Sequence, residues 1–199
     1  RTADFEVDVE AVAREDDDRT KILFLASPNN PTGNLLSEAD LLKLLALNMI
    51  IVVDETYYEF SGATMAAEVP RYPNLVVLRT FSKWAGLAGL RLGYGIMDTA
   101  VAERLMIIKP PYNLTITAEV ALFASLEDRE LLMSQVYSIV QERDRLFSKL
   151  CGISGLIPIP SRANFVLCRV PEGMGQHVYQ ALAKRGIFVR YYSAPLLQD

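Results

Sequence analysis

Strand-length apolar runs alternate with helical patterns in the N-terminal half of the chain. The pattern predicts strands at Lys21–Ser27, Met49–Val53, Asn74–Phe81 and Leu92–Met97. A Leu-rich helix is predicted between the first two strands, from Glu38 to Leu47, with Ser37 as its N-cap. The unbroken apolar character of Met49–Val53 is typical of a strand buried on both faces, as in parallel sheets. The order of these segments therefore predicts a βαβ unit.

The C-terminal half begins with helical patterns and changes character near residue 152. Helices are predicted at Thr99–Ile108, which ends before two prolines, and across Thr115–Leu150, where Asp128-Arg129 marks a joint between two helices. Gly152–Ser161 is rich in Gly, Pro and Ser and is predicted to be a domain boundary. Beyond it the pattern predicts a strand, a helix and a strand, at Asn164–Val170, Gly175–Arg185 and Ile187–Tyr192. The sequence as a whole predicts an α/β chain.

Composition narrows the classes of function. A length of 199 residues and a hydrophobic content of 51% suffice for a buried core in one domain, or in one domain and part of another. The net charge of −4 and the lack of a long basic tract argue against nucleic acid as a partner. No apolar run approaches the roughly 20 residues that span a bilayer, so no membrane partner is predicted. Two cysteines without a CxxC pair and a single histidine predict neither a disulfide framework nor a metal site.

Polar side chains follow three of the predicted strands. Asn30, Asp54 and Lys83 each come at or just after a strand end, where ligands bind in open α/β sheets. Lys83 also has neighbours that suit phosphate: the hydroxyls of Thr80 and Ser82 can donate to phosphate oxygens, and Arg91 can bind them through two N–H groups. An amine, a carboxylate and an amide beside a phosphate pocket are what a pyridoxal phosphate enzyme requires. The sequence therefore predicts a site for this cofactor.

Each of these residues also has a less specific interpretation. A single lysine is usually a solvated surface group, Asp54 alone could cap a helix, Asn30 before proline is a turn signal, and Tyr57 could be a core residue. A Ser–Lys hydrolase is rejected because adjacent residues of a strand point to opposite faces. The glycines between Ala85 and Gly95 lack the order of a dinucleotide-binding loop. The combination of residues therefore carries the cofactor prediction.

The order and spacing of three motifs link the chain to a known family. They are Ser27–Gly33, Val53–Tyr57, and Thr80–Lys83 together with Ala88–Tyr94. At these residues the chain resembles the fold-type I, aspartate-aminotransferase-like pyridoxal phosphate enzymes, and within them the histidinol-phosphate aminotransferases. The resemblance covers nearly the whole chain. It implies a mixed, mostly parallel sheet, with residues 1–151 as part of the cofactor-binding large domain and residues 152–199 as the start of a small α/β domain.

The resemblance implies a role for each residue at the predicted site. Lys83 would form the internal aldimine with pyridoxal phosphate and act as general base and acid, and Asp54 would pair with the pyridine nitrogen. Asn30 and Tyr57 would hold the phenolic oxygen, and Thr80, Ser82 and Arg91 would bind the phosphate. Substrate contacts are implied for Asn30, Asn164 and Arg190. Trp84 follows the lysine where many relatives have a small residue, and it is expected to reshape the phosphate loop.

The function implied is amino transfer between L-histidinol phosphate and 2-oxoglutarate in histidine biosynthesis, by a homodimer in the cytoplasm, or in a plastid if the source is a plant or alga. The alternatives are a phosphothreonine decarboxylase or an aromatic aminotransferase of the same fold, and a non-catalytic chain. Family members also carry an N-terminal portion that binds the cofactor and a later arginine for the substrate carboxylate. Since the chain begins after that portion and ends at Asp199, before that arginine, it is expected to be a central fragment, with a companion N-terminal segment as a further partner. Its opening on Arg1, without a signal-like segment, agrees with this expectation.

Overall fold

The computed structural model of the chain describes residues 1–194 and residue 197. The strands are β1 (Ile22–Ala26), β2 (Ile50–Asp54), β3 (Leu75–Thr80), β4 (Gly93–Met97), β5 (Ile157–Pro158) and β6 (Cys168–Arg169). The α-helices are α1 (Val9–Glu15), α2 (Glu38–Leu45), α3 (Tyr58–Ser61), α4 (Thr99–Ile108), α5 (Ile116–Glu127), α6 (Arg129–Leu150) and α7 (Gly175–Ala183). Two 3₁₀ helices, Ala66–Glu68 and Ala88–Leu90, lie in the loops that follow α3 and β3.

The central sheet has the strand order β1-β2-β3-β4. β1 and β2 are parallel, as are β2 and β3, while β4 runs antiparallel to β3. The predicted βαβ unit and the mixed, mostly parallel sheet are therefore confirmed. The register pairs Ala26 with Asp54 and Asp54 with Leu78, so the carboxyl ends of the three parallel strands lie at one edge of the sheet. Polar residues that follow these strands are brought to that edge.

One face of this sheet packs against α2 to form the main core. Ile51, Val53, Leu75 and Val77 alternate along β2 and β3 and are fully buried. α2 begins at Ser37, whose Oγ accepts a hydrogen bond from the Asp40 amide at 3.0 Å, as the sequence predicts. Its buried residues, Leu41, Leu44 and Leu45, follow helical spacing and complete this cluster. The packing fixes the strands that carry the site.

The helical part of the chain follows the sequence prediction closely. α4 has the predicted bounds, and the predicted joint separates α5 from α6 at Asp128. Two strand predictions are wrong. Of Asn164–Val170 only Cys168–Arg169 forms a strand, paired with β5, and within Ile187–Tyr192 the described residues form none. A strand needs a neighbour to bond, and local apolar character cannot supply one. The predicted domain boundary near residue 152 stays a prediction.

Several large apolar side chains lie exposed along the end of α4 and along α5. Ile107 and Ile108 are 73% and 75% exposed, and Ile116 and Phe123 are 77% and 57% exposed. None of the helices within the described part of the chain combines the length and apolar character needed to cross a membrane.

Candidate active site

A cleft of about 360 Å³ opens at the carboxyl ends of β1, β2 and β3. Its lining includes every residue that the sequence analysis assigns to the cofactor: Asn30, Asp54, Tyr57, Thr80, Ser82, Lys83 and Arg91. The first and last of these residues, Asn30 and Arg91, are 61 positions apart, and the parallel register of the sheet brings the set together. The cleft is therefore the candidate active site, while the individual roles stay predictions.

Asn30 and Tyr57 are bonded to each other across the cleft. The Asn30 Nδ2 donates to the Tyr57 hydroxyl at 2.7 Å, and the Tyr57 ring packs edge-on against Phe165 with ring centroids 5.2 Å apart. Because the Tyr57 oxygen accepts this bond, its own proton remains for a ligand oxygen. The Asn30 amide has a second N–H for the same purpose. The pair can thus present two donors to one oxygen atom.

Asp54 ends β2 and is held by the residue two places further on. Its Oδ1 accepts from the Thr56 amide at 2.9 Å and from the Thr56 hydroxyl at 2.6 Å. The alternative of a helix cap is not supported, because the residue preceding α3 is Tyr57 and its side chain makes no capping bond. Both Thr56 bonds fall on one carboxylate oxygen, so Oδ2 can meet a cationic group of a ligand.

The side chains suited to phosphate surround the end of β3. The Thr80 Oγ1 lies 2.8 Å from the Ser82 Oγ, and it donates to the Leu92 carbonyl at 2.9 Å. The Ser82 amide in turn donates to the Thr80 Oγ1 at 3.1 Å. These bonds keep the two hydroxyls side by side at the cleft. An anion bound there could accept hydrogen bonds from the Thr80 and Ser82 hydroxyls, in place of the bonds that these hydroxyls make to each other and to the Leu92 carbonyl.

Arg91 has an uncommon backbone conformation for its residue type. Its φ angle is 56°, in the left-handed region, where residues other than glycine are rarely found. The 3₁₀ helix Ala88–Leu90 leads into this turn, and the Arg91 Nη1 donates to the Ala88 carbonyl at 2.9 Å. Since such conformations cluster at ligand sites, the turn supports a role for the guanidinium in binding.

Lys83 is exposed at the same cleft, and its Nζ lies 5.8 Å from the centroid of the Tyr57 ring. Trp84, the next residue, lies outside the lining of the cleft and faces a separate cavity. It packs with Phe60 in one apolar cluster and with Phe81 in another. The indole therefore packs against the apolar core on the side of the Lys83 loop that faces away from the cleft. The expectation that Trp84 reshapes the phosphate loop stays a prediction.

A buried ion pair next to Asp54 was not predicted from the sequence. Glu55 is only 1% exposed, and its Oε2 accepts from the Arg79 Nε at 3.0 Å. Its carboxylate also accepts from the Thr64 hydroxyl at 2.8 Å and from the Met65 amide at 2.6 Å. The Arg79 guanidinium carbon lies 3.5 Å from the centroid of the Tyr58 ring. The available signal was an acidic residue two places after the apolar segment of β2 and a basic residue directly after that of β3. The register pairs Asp54 with Leu78, so the next residues, Glu55 and Arg79, lie side by side.

Glu59, in α3, carries a perturbed carboxyl group. Burial raises the pKa of Glu59 to about 7, and the nearby Glu55 carboxylate also raises it, while the α3 backbone and Arg79 partly offset both effects. Among the residues packed around it, Arg79 and Glu55 are thus the charged groups that act on it. With a pKa of about 7, the carboxyl is protonated below neutral pH and loses its proton as pH rises through neutrality.

We expect the stability of the protein to fall as pH rises from about 4.5 to about 7 because of Glu59. Within this window the folded state retains a proton that the unfolded state has lost, so rising pH favours unfolding. Glu59→Gln should be more stable than the wild type at about pH 8 and close to it at about pH 5. Urea unfolding across this range measures the difference. A gain that is the same at every pH, or one matched by the exposed control Glu10→Gln, would contradict the assignment.

Two predicted substrate residues do not lie at the cleft. Asn164 is exposed and lines a different cavity beside α6, and the Arg190 guanidinium carbon lies 5.6 Å from the centroid of the Tyr192 ring. The structure thus brings Asn30, but neither Asn164 nor Arg190, to the cofactor residues. Their substrate roles remain predictions without support from the geometry.

The chain belongs to the aminotransferase class I and II family, whose model matches residues 1–199. It is 48% identical over 203 residues to the histidinol-phosphate aminotransferase of Roseiflexus castenholzii and 45% identical over 199 residues to that of Dehalococcoides mccartyi. All of this chain is matched, but only 55% and 56% of those relatives. The chain therefore spans a little over half the length of these relatives.

A solved structure gives the same picture of the fold. The histidinol-phosphate aminotransferase of Sinorhizobium meliloti, in complex with pyridoxal-5'-phosphate, superposes with a TM-score of 0.83 at 30% identity. The superposition covers 96% of this chain and 55% of that chain. The predicted family and the predicted α/β fold are therefore confirmed.

Proposed function

We propose that this chain carries the cofactor-binding core of an aminotransferase that moves an amino group between L-histidinol phosphate and 2-oxoglutarate. The observation that carries the proposal is the meeting of Lys83, Asp54 and the Asn30–Tyr57 pair in one cleft. The choice of substrate is supported by relatives of 45% and 48% identity that are named histidinol-phosphate aminotransferases.

The donor set in the cleft fits pyridoxal phosphate. Ser82, Thr80 and Arg91 supply hydroxyl and guanidinium donors for a phosphate group, and the Lys83 Nζ suits the aldehyde. Asn30 and Tyr57 would meet the phenolic oxygen with two donors, and the Asp54 carboxylate would meet the protonated pyridine nitrogen. When bound, this cofactor withdraws electrons from the α-carbon of an amino substrate.

The chain's own residues then have separate tasks. Lys83 supplies the only amine among the residues that line the described cleft, so its Nζ is the group placed to take and return a proton. Two hydrogen bonds from Thr56 hold the Asp54 carboxylate in a fixed position. Tyr57 is 7% exposed and is held by Asn30 and Phe165, so its hydroxyl donates from a fixed position.

We also propose that the whole protein is a homodimer. The exposed apolar side chains of α4 and α5, such as Ile108 and Ile116, support a partner on that face. The small-molecule partners are an amino donor and a 2-oxo acid, and the predicted location in the cytoplasm, or in a plastid for a plant or alga, stays part of the proposal.

The activity can be tested in a chimaera. The 199-residue chain replaces the matching segment of the Dehalococcoides mccartyi relative, which supplies the remaining part of that protein. We expect this chimaera to transfer an amino group from L-histidinol phosphate to 2-oxoglutarate. Release of carbon dioxide from phosphothreonine without amino transfer would instead indicate the decarboxylase alternative. A folded chimaera that binds pyridoxal phosphate but has neither activity would contradict the proposed function.

A further inference from the structure

The segment Ser161–Phe165 contacts both elements that carry the Asn30–Tyr57 pair. The Arg162 Nη2 donates to the carbonyl of Ser61, at the end of α3, at 2.7 Å. The Arg162 amide donates to the carbonyl of Gly33 at 2.8 Å. One residue therefore joins the helix that begins just after Tyr57 to the turn that contains Asn30.

The contact at Gly33 is a close approach of two backbones. A Cβ atom at Gly33 would lie 2.2 Å from the Ser161 Oγ and 2.8 Å from the Ser161 Cα, which no side chain could accept. The φ angle of Gly33 is +75°, a conformation that glycine adopts without strain. The turn is itself closed by the Gly33 amide, which donates to the Asn29 carbonyl at 2.7 Å. Ser161–Phe165 thus packs against the Asn29–Gly33 turn, where the glycine leaves room for the close contact.

The other side of the segment rests on α6. The Arg143 Nη1 donates to the Ala163 carbonyl at 2.9 Å, and Ala163 is fully buried in a cluster with Tyr57 and Val136. Phe165 supplies the edge-on contact with the Tyr57 ring. The segment is therefore held between a long helix and the residues of the cleft.

We infer that Ser161–Phe165 sets the geometry of the Asn30–Tyr57 pair and that Arg162 is the positioning residue that ties the two together. The inference rests on the proposed function in one respect, namely that the Asn30–Tyr57 pair binds the phenolic oxygen of the cofactor. A small displacement of the segment moves Gly33 and Ser61 together, and so changes the 2.7 Å bond between Asn30 and Tyr57. Hydrogen bonds from Asn30 and Tyr57 to the phenolic oxygen of the cofactor would change the pKa of a proton held beside that oxygen. A displaced segment would therefore shift the pH response of the bound cofactor.

Amide hydrogen exchange tests the positioning without any cofactor. Arg162→Met keeps the aliphatic stem and removes the guanidinium donors. We expect exchange at protected amides of the turn and of α3, such as Gly33 and Ser61, to rise about fivefold, the effect of losing one hydrogen bond. Arg162→Lys, which retains one charged donor, should recover part of the protection.

Arg185→Met is the matched control, because Arg185 is exposed and its Nη1 donates to the Ala181 carbonyl of α7 at 3.2 Å. Arg185→Met should leave amide exchange unchanged in both the Gly33 turn and α3. Unchanged exchange at both segments in Arg162→Met would overturn the inference. If Arg162→Met does not fold, Arg162→Lys decides: an intermediate rise confined to the two segments supports the inference, and a wild-type pattern overturns it.

A second measurement uses the chimaera loaded with pyridoxal phosphate. The pH at which its visible absorbance changes should shift in Arg162→Met, move back in Arg162→Lys, and stay in place in Arg185→Met. If the chimaera binds no cofactor, the proposed function fails while hydrogen exchange still decides the inference. If it binds cofactor normally and the absorbance of Arg162→Met follows the wild type, the link from the segment to the pair is wrong.

Discussion

Replacing Lys83 with alanine is expected to lower the rate of amino transfer by the chimaera by roughly two to four orders of magnitude, the usual contribution of a general acid–base group. Lys83 provides the amine in the cleft, and the other described lining residues have no primary amine to take its place. Under the proposed function, its loss removes both the covalent anchor of the cofactor and the group that carries the proton. Asn30, Asp54 and Arg91 remain, so weak binding of pyridoxal phosphate should persist.

The assay is the initial rate with L-histidinol phosphate at saturating pyridoxal phosphate. Lys184→Ala serves as control, because Lys184 is an exposed lysine at the end of α7. It should retain the activity of the parent chimaera. A Lys83→Ala chimaera that keeps more than about a tenth of the parent rate would remove Lys83 from the proton transfer.

Replacing Arg79 with methionine is expected to destabilise the protein by about 3–5 kcal/mol, because it leaves a buried carboxylate without its cation. Glu55 is 1% exposed and the Arg79 side chain is 11% exposed, so the carboxylate is largely shielded from water and depends on its cation. Thr64 and Met65 still donate to Glu55, but they supply no charge. Since Glu55 directly follows Asp54, the cleft should loosen as well.

Urea unfolding measures this loss, and Arg71→Met is its control. Arg71 makes an ion pair with Glu68 at 3.2 Å on the surface, where its side chain is 73% exposed, and its removal should cost no more than about 1 kcal/mol. Adding Glu55→Gln to Arg79→Met should recover part of the stability, because the unpaired charge is then gone. Equal losses in Arg79→Met and Arg71→Met would show that the buried pair has no special importance.

The features that sequence predicted well depend on local pattern. Ser37 caps α2 and Asp128 separates α5 from α6 as expected, because capping and chain breaks are decided within a few residues. The convergence of Asn30, Asp54 and Lys83 could also be foreseen, since strand ends of a parallel sheet share one edge.

The features that escaped prediction depend on contacts between distant parts of the chain. Ile187–Tyr192 has the composition of a strand, yet its described residues pair with none, and Phe188 is 82% exposed. The hydrogen bond from Arg162 to Ser61 joins residues 101 positions apart, and the sequence around neither residue predicts it. The α1 helix was also missed, because its seven residues carry too little apolar periodicity to stand out.

The central claim, that Lys83 receives the cofactor, is tested most directly by peptide mapping of the 199-residue protein after incubation with pyridoxal phosphate and borohydride reduction. The chain has six lysines, Lys21, Lys43, Lys83, Lys109, Lys149 and Lys184, so each has a distinct expected peptide. We predict that the label is concentrated on Lys83 and that an excess of free phosphate lowers it there by competing for Ser82 and Arg91. Label spread over the other lysines with none on Lys83 would contradict the account.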